Sequence, residues 1–94
     1  MTIHLNTQSD LEEAIVRFDP LAAKYLQEQK YLNGFVSEEI VDGDVRMKFL
    51  TSNMNYFGRW LLTYTTRVQV ESPPILRNTM KELAEKIAEH YIAY

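Results

Sequence analysis

Residues 35–52 read FVSEEIVDGDVRMKFLTS, and this stretch decides the fold. Asp42-Gly43 is a strong two-residue hairpin signal, because both central positions of such a turn need positive φ. After it, Val45, Met47 and Phe49 alternate with Arg46, Lys48 and Leu50, the period-2 pattern of a strand with one face buried. The strands are expected to run from Tyr31 to Val41 and from Asp44 to Ser52. If Asp42-Gly43 is the turn, Val41 pairs with Asp44, Glu39 lies opposite Arg46, and Phe35 falls opposite Leu50.

Working outward, Glu12–Phe18 (EEAIVRF) predicts a strand with Ala14, Val16 and Phe18 on one face and Ile15 and Arg17 on the other. Asp19-Pro20 then supplies a capping acid and a proline at a helix's first position. Leu21, Ala22, Tyr25 and Leu26 form one stripe of the short helix that follows, which is expected to end near Gln29. On the other side of the hairpin, Asn53–Tyr64 predicts a helix carrying Met54, Phe57, Leu61 and Tyr64 at helical spacing, with Trp60 and Leu62 widening the stripe. A lone tryptophan on such a helix points to the core. A fourth strand is expected over Thr66–Glu71, stopped by Ser72-Pro73-Pro74. A long helix over Ile75–Tyr91 closes the chain, with Leu76, Met80, Leu83, Ala84, Ile87 and Tyr91 as its apolar stripe.

The order β-α-β-β-α-β plus a terminal helix predicts an α+β, ferredoxin-like sandwich. Four antiparallel strands form its sheet, and both crossover helices lie on one face. Residues 1–11 read as a linker or leader, and 12–94 as one domain.

Bulk composition narrows the function. Ninety-four residues are enough for one core. No apolar run approaches the roughly 20 residues that span a bilayer, and the first ten residues lack the pattern of a signal peptide. With no cysteine there is no disulfide framework and no thiol nucleophile. A cytoplasmic location and no membrane partner are expected. The net charge of −3 argues that any DNA contact is made by another domain, since phosphate binding needs a Lys/Arg excess.

The residues that carry chemistry are sparse. His4 and His90 stand far apart in the chain, and no metal-ligand spacing includes them. His90 reads as a solvated residue at a helix's negative end. The acids at Glu12-Glu13, Glu38-Glu39 and Asp42/Asp44 are neighbours in strands and turns, and adjacent strand residues point to opposite faces. No nucleophile elbow or Gly-rich phosphate loop occurs. No catalytic residue, metal or cofactor is expected.

One cluster stands out. Strand parity directs Arg17, Arg46, Lys48 and Arg67 to the sheet face left bare by the crossover helices, together with Ile15, Phe35 and Leu50. Basic groups beside apolar ones on a sheet suit a phosphate or single-stranded nucleotide platform. The alternative is a partly wet face, covered by the terminal helix or a second subunit, whose arginines pair with Glu39 and Glu71.

From Val16 onward the chain resembles the C-terminal extension, WCX, of bacterial WYL-domain helix-turn-helix transcriptional regulators of the DeoR-like kind. The resemblance rests on the order of Val16-Arg17-Phe18-Asp19-Pro20, Asp42-Gly43, Arg59-Trp60-Leu61-Leu62, Arg67-Val68-Gln69-Val70, Pro73-Pro74-Ile75-Leu76-Arg77 and Ala88-Glu89-His90-Tyr91. It covers about four fifths of the chain. Two departures are Thr65, where the family commonly has glycine, and Glu71-Ser72-Pro73, where it has Leu-Glu-Pro. The first implies a different turn before the last strand.

The resemblance implies a non-catalytic regulatory and dimerisation domain, a piece of a longer protein. Its partners would be an adjacent WYL domain, a helix-turn-helix domain that contacts DNA, a nucleotide or oligonucleotide effector, and a second copy. Arg67 and Arg77 match the family's pattern and are the implied ligand or inter-domain contacts. Adding the open-face residues makes Arg17, Lys48, Arg67 and Arg77 the candidate effector residues and Ile15, Phe35 and Leu50 the candidate interface. The competing reading is a stand-alone, ACT-like small-molecule-binding module that pairs its sheets edge to edge.

Overall fold

The computed structural model describes residues 11–93. The expected leader therefore lies outside the described residues except for Leu11, and so does His4.

Strand β1 spans Glu12–Phe18, helix α1 Pro20–Tyr25, β2 Phe35–Val41, β3 Asp44–Thr51, helix α2 Met54–Leu62, β4 Val68–Ser72 and helix α3 Pro74–Ala93. A single 3-10 segment, Gln29–Asn33, precedes β2. The strands form one antiparallel sheet in the order β2-β3-β1-β4, which is the arrangement expected from the sequence.

Local chemistry explains the boundaries. The Asp19 side chain accepts a hydrogen bond from the Ala22 N–H at 2.8 Å, and Pro20 follows as the first helical residue, so α1 begins where an orphan N–H is satisfied. Asn53 does the same for α2 by accepting from the Tyr56 N–H at 2.9 Å. The hairpin turn places Asp42 at φ 53° and Gly43 at φ 87°, the double positive φ that suits a tight hairpin.

Val41 pairs with Asp44 and Glu39 with Arg46, as the turn dictates. Phe35, however, pairs with Phe49 and not Leu50, because the register shifts between Phe35 and Ser37. That irregularity turns the Phe35 ring to the covered face, where it meets Phe49 at a centroid distance of 6.0 Å. Gly34 makes the entry possible. At φ 88° its carbonyl accepts from the Leu50 N–H at 2.9 Å, and a Cβ there would collide with the Leu50 carbonyl oxygen. The strand expected from Tyr31 thus starts four residues later, after the 3-10 segment.

The core lies between the sheet and the helices. Ala14, Val16 and Phe18 of β1 and Met47 and Phe49 of β3 are buried, meeting Leu26, Phe57, Leu61 and Leu76 from the helical side. Trp60 is half-buried against this cluster, its ring 5.6 Å from Phe49 and 6.4 Å from Phe18. Its indole N–H donates to Gln29 Oε1 at 3.1 Å, so the polar edge of the ring is satisfied where it leaves the core.

Helix α3 departs from expectation. It packs against α2 and β4, and Leu76 enters the core, with Met80 beside it. Beyond Leu83 the apolar stripe is not covered, and Ile87, Tyr91 and Ile92 are 50%, 72% and 85% exposed. The helix belongs to the layer that also holds α1 and α2, and it leaves the other sheet face bare.

Before β4, Thr65 takes φ 54°, the left-handed conformation that glycine adopts without strain. The departure from glycine at this position therefore does not remove a left-handed turn. Thr65 adopts it, and its hydroxyl donates to the Tyr64 carbonyl at 2.7 Å.

Candidate functional site

The bare sheet face carries Ile15 and Arg17 from β1, Arg46, Lys48 and Leu50 from β3, Glu39 from β2 and Glu71 from β4. Alternation places each of them there. Arg17 and Arg46 are direct cross-strand partners, a like-charge pair that is unfavourable by itself. Glu71 resolves it. Its carboxylate accepts from Arg46 Nε at 2.7 Å and from Arg46 Nη2 at 3.1 Å, with Arg17 Nε 3.8 Å away.

The remaining charges are balanced in the same way. Arg17 Nη2 donates to Asp44 Oδ2 at 3.0 Å and to the Val41 carbonyl at 3.3 Å. Arg46 also lies 3.7 Å from Glu39, and Lys48 3.4 Å from Glu13. The face is a network of alternating charge. The forked hydrogen bond from Arg46 holds the Glu71 carboxyl below the usual carboxylate range against a smaller opposing desolvation. Glu71 in turn raises Arg46. The pairing of the arginines with Glu39 and Glu71, one of the two readings of this face, is what the geometry displays.

The four basic residues expected to bind an effector do not converge. Arg67 lies just before β4, and its Nη1 donates to Asp19 Oδ2 at 2.8 Å. The Asp19 carboxyl is held below its ordinary value, first by the Ala22 N–H and then by Arg67, with desolvation opposing. Arg17 and Arg67 flank one depression of about 220 Å³ with Asp19, Asp44 and Gln69. Lys48 lies in a neighbouring hollow with Ile15, Ser37 and Arg46. Arg77 is elsewhere, its Nη2 donating to the carbonyls of Val70 and Glu71 at 3.0 and 3.4 Å. It caps the rim of edge strand β4.

Of the expected interface residues, Ile15 is half-buried on the bare face and Leu50 is exposed. Phe35 is on the opposite face, as the shifted register requires.

One group was missed from sequence. Lys30 is 3% exposed, and its Nζ donates to Glu38 Oε1 at 2.7 Å and Gln27 Oε1 at 2.9 Å while sitting 4.3 Å from the Phe35 ring centre. A buried ammonium needs such partners. The signal was a lysine flanked by Gln29, Tyr31 and Leu32, hidden because the 3-10 segment was read as the start of a strand.

Among the described residues no group of three or more His, Cys, Asp or Glu could hold a metal ion, and no helix is long and apolar enough to cross a membrane. No curated protein matches the chain in sequence. The family model of the WCX domain matches residues 10–88. The chain belongs to the WCX domain family. The match runs from just before β1 well into α3 and so takes in every strand of the sheet. WCX domains are a regulatory family, found as C-terminal domains of WYL-type regulators.

Proposed function

We propose that this WCX domain is the C-terminal regulatory and dimerisation module of a bacterial, cytoplasmic DNA-binding transcriptional regulator, and that it assists effector sensing by an adjacent WYL domain. The family match over residues 10–88 carries this reading. The surface chemistry supports it. Basic residues on the bare face are matched by carboxylates, and the chain carries a net charge of −3. DNA phosphates are accordingly held by a separate helix-turn-helix domain in the same polypeptide.

In this reading the domain's share of a nucleotide or oligonucleotide effector site is the depression between Arg17 and Arg67. There a phosphate would exchange with Asp19 and Asp44 as the acceptor of the guanidinium hydrogen bonds. Because each arginine already has an acid partner, the domain alone binds anions weakly. The WYL domain supplies the rest of the affinity. Replacing both arginines by alanine in the complete regulator is expected to weaken effector binding, and unchanged binding would remove the effector role from this face.

The decisive test of the wider proposal is the coding DNA upstream of the Met1 codon in the source genome. An uninterrupted frame encoding a helix-turn-helix and a WYL domain is the expected result. A native start at Met1 behind its own ribosome-binding site would overturn it.

A further inference from the structure

Two of the three glycines follow a residue whose side-chain carbonyl carbon lies within reach of the next peptide nitrogen, in Asn33-Gly34 and Asp42-Gly43. In such a pair the glycine nitrogen attacks the Asn or Asp Cγ, and the missing side chain leaves that approach unhindered. A carboxylate accepts the attack far less readily than a primary amide, so Asn33 is the reactive member. The other asparagines, Asn6, Asn53, Asn55 and Asn78, precede Thr, Met, Tyr and Thr, whose side chains crowd the nitrogen.

The fold engages both reacting groups. The Gly34 N–H donates to the Lys30 carbonyl and closes the 3-10 segment. The Asn33 side-chain amide donates to the Gln29 carbonyl at 2.8 Å, which ties down the nitrogen that would leave. Beyond this pair the Gly34 carbonyl accepts from the Leu50 N–H, and Phe35 packs against the core. The hold is shallow. Asn33-Gly34 sits where β2 begins, at one edge of the sheet. Lys30 is the one buried residue of the 3-10 segment, Tyr31 and Leu32 are largely exposed, and no residue of β2 is buried. A segment with so few buried contacts opens more readily than the whole domain unfolds.

We infer that Asn33-Gly34 is a self-modification site, kept shut by the fold and released by local opening of residues 31–37. Once both hydrogen bonds are broken, the Gly34 nitrogen gives its proton to solvent and bonds to Asn33 Cγ. The Cγ–Nδ2 bond breaks, ammonia leaves, and a five-membered succinimide remains. Water then opens the ring at either carbonyl, giving aspartate or isoaspartate at position 33. The reaction consumes water alone.

Both products weaken the closed state. An aspartate side chain only accepts hydrogen bonds and would face the Gln29 carbonyl with no donor. Isoaspartate lengthens the main chain by one methylene directly before Gly34. That position has no slack, since even a Cβ on Gly34 would meet the Leu50 carbonyl oxygen. The ring of Phe35, 6.0 Å from Phe49 and 4.3 Å from Lys30 Nζ, then loses its seat. Opening of the β2 edge is thereby converted into a permanent change of the domain.

The test is peptide mapping of the full 94-residue chain, aged at mildly alkaline pH both folded and in concentrated denaturant. Cleavage after Lys30 and Arg46 releases residues 31–46, and chromatography with mass spectrometry separates the asparaginyl, aspartyl and isoaspartyl forms. In denaturant, position 33 should convert readily, with isoaspartate exceeding aspartate. In the folded chain the conversion should be slower by about one to three orders of magnitude, as a local opening dictates, whereas global unfolding would impose about four or more. Low denaturant concentrations should leave the folded rate unchanged, because a local opening exposes little surface. Asn33→Gln, which would have to close a less favoured six-membered ring, should fold normally and remain unmodified. The isolated isoaspartyl form should unfold at a lower denaturant concentration than its parent. Equal rates in the folded and unfolded chains would show that the fold does not guard the site. A folded rate that rises with low denaturant in step with global unfolding would eliminate the local opening, and an isoaspartyl form as stable as its parent would eliminate the effect on β2. Any one of these three results overturns the inference.

Discussion

The two faces of the sheet are made by the same strands, in places by adjacent residues, yet different interactions hold them. On the covered face, Val16, Phe18, Met47 and Phe49 are 0% exposed and pack as one cluster with the helices. On the bare face, Arg17, Arg46 and Glu71 remain in contact with water and are held by hydrogen bonds and charge. Burial is worth kilocalories per side chain, whereas ion pairs in water gain little after screening and side-chain ordering. The covered face therefore sets the stability of the fold. The bare face sets the pattern of charge offered to solvent and partners.

The largest effect should come from the centre of the covered face. Phe49 touches the rings of Phe18, Phe35, Phe57 and Trp60, with centroids 5.0–6.4 Å away. Phe49→Ala should cost about 3–5 kcal/mol in denaturant unfolding, the range for emptying a large aromatic site. For a small domain that is much of the total stability. A cost near that of a surface substitution would break the comparison at its strongest point.

Next come positions where the backbone serves the covered face. Gly34→Ala should cost roughly 2–3 kcal/mol, the left-handed conformation adding to displacement of the Leu50 carbonyl. Gly43, also left-handed at φ 87° but with open space around it, should cost only about 1 kcal/mol when changed to alanine. The difference between the two isolates the close approach that admits Phe35 to the core. Thr65→Gly should act in the opposite sense, stabilising by about 1 kcal/mol as a β-branched residue leaves the left-handed region. Thermal or denaturant unfolding measures all three.

The same contrast explains what could be read from the sequence. The covered face repeats every second residue in β1 and β3, so strand parity, the hairpin turn and the sheet order were legible from Ala14, Val16, Phe18 and Asp42-Gly43. The register error at Phe35 came from a single irregularity, which the pattern of Phe35 and Leu50, both apolar, could not expose. Ile87 and Tyr91 showed the opposite difficulty. Helical spacing correctly marks them as one stripe with Leu76 and Met80, but it cannot tell where the domain ends beneath that stripe. On the bare face, the pairing of Arg46 with Glu39 followed from the hairpin register. That of Arg17 with Asp44 and of Arg67 with Asp19 depends on how distant strand ends meet, which local pattern does not encode. A cluster of basic residues therefore looked more cationic in sequence than the folded network is.

The smallest effect is expected from the bare face itself, and pH sharpens it. Glu71→Gln removes the carboxylate between Arg17 and Arg46 while keeping its shape. At neutral pH the variant should be less stable than the native domain by only a fraction of the Gly34→Ala effect, since the site is hydrated and screened. The folded Glu71 carboxyl titrates below its unfolded value, so its contribution is fully present above that unfolded value, about 4.3. It is lost as pH falls through the lower, folded value. Unfolding midpoints of the two proteins, measured at pH 7 and again well below pH 4, should therefore converge in acid. A gap that persists there would mean that Glu71 acts through packing rather than charge, and the bare face would then resemble the covered one more closely than its exposure suggests.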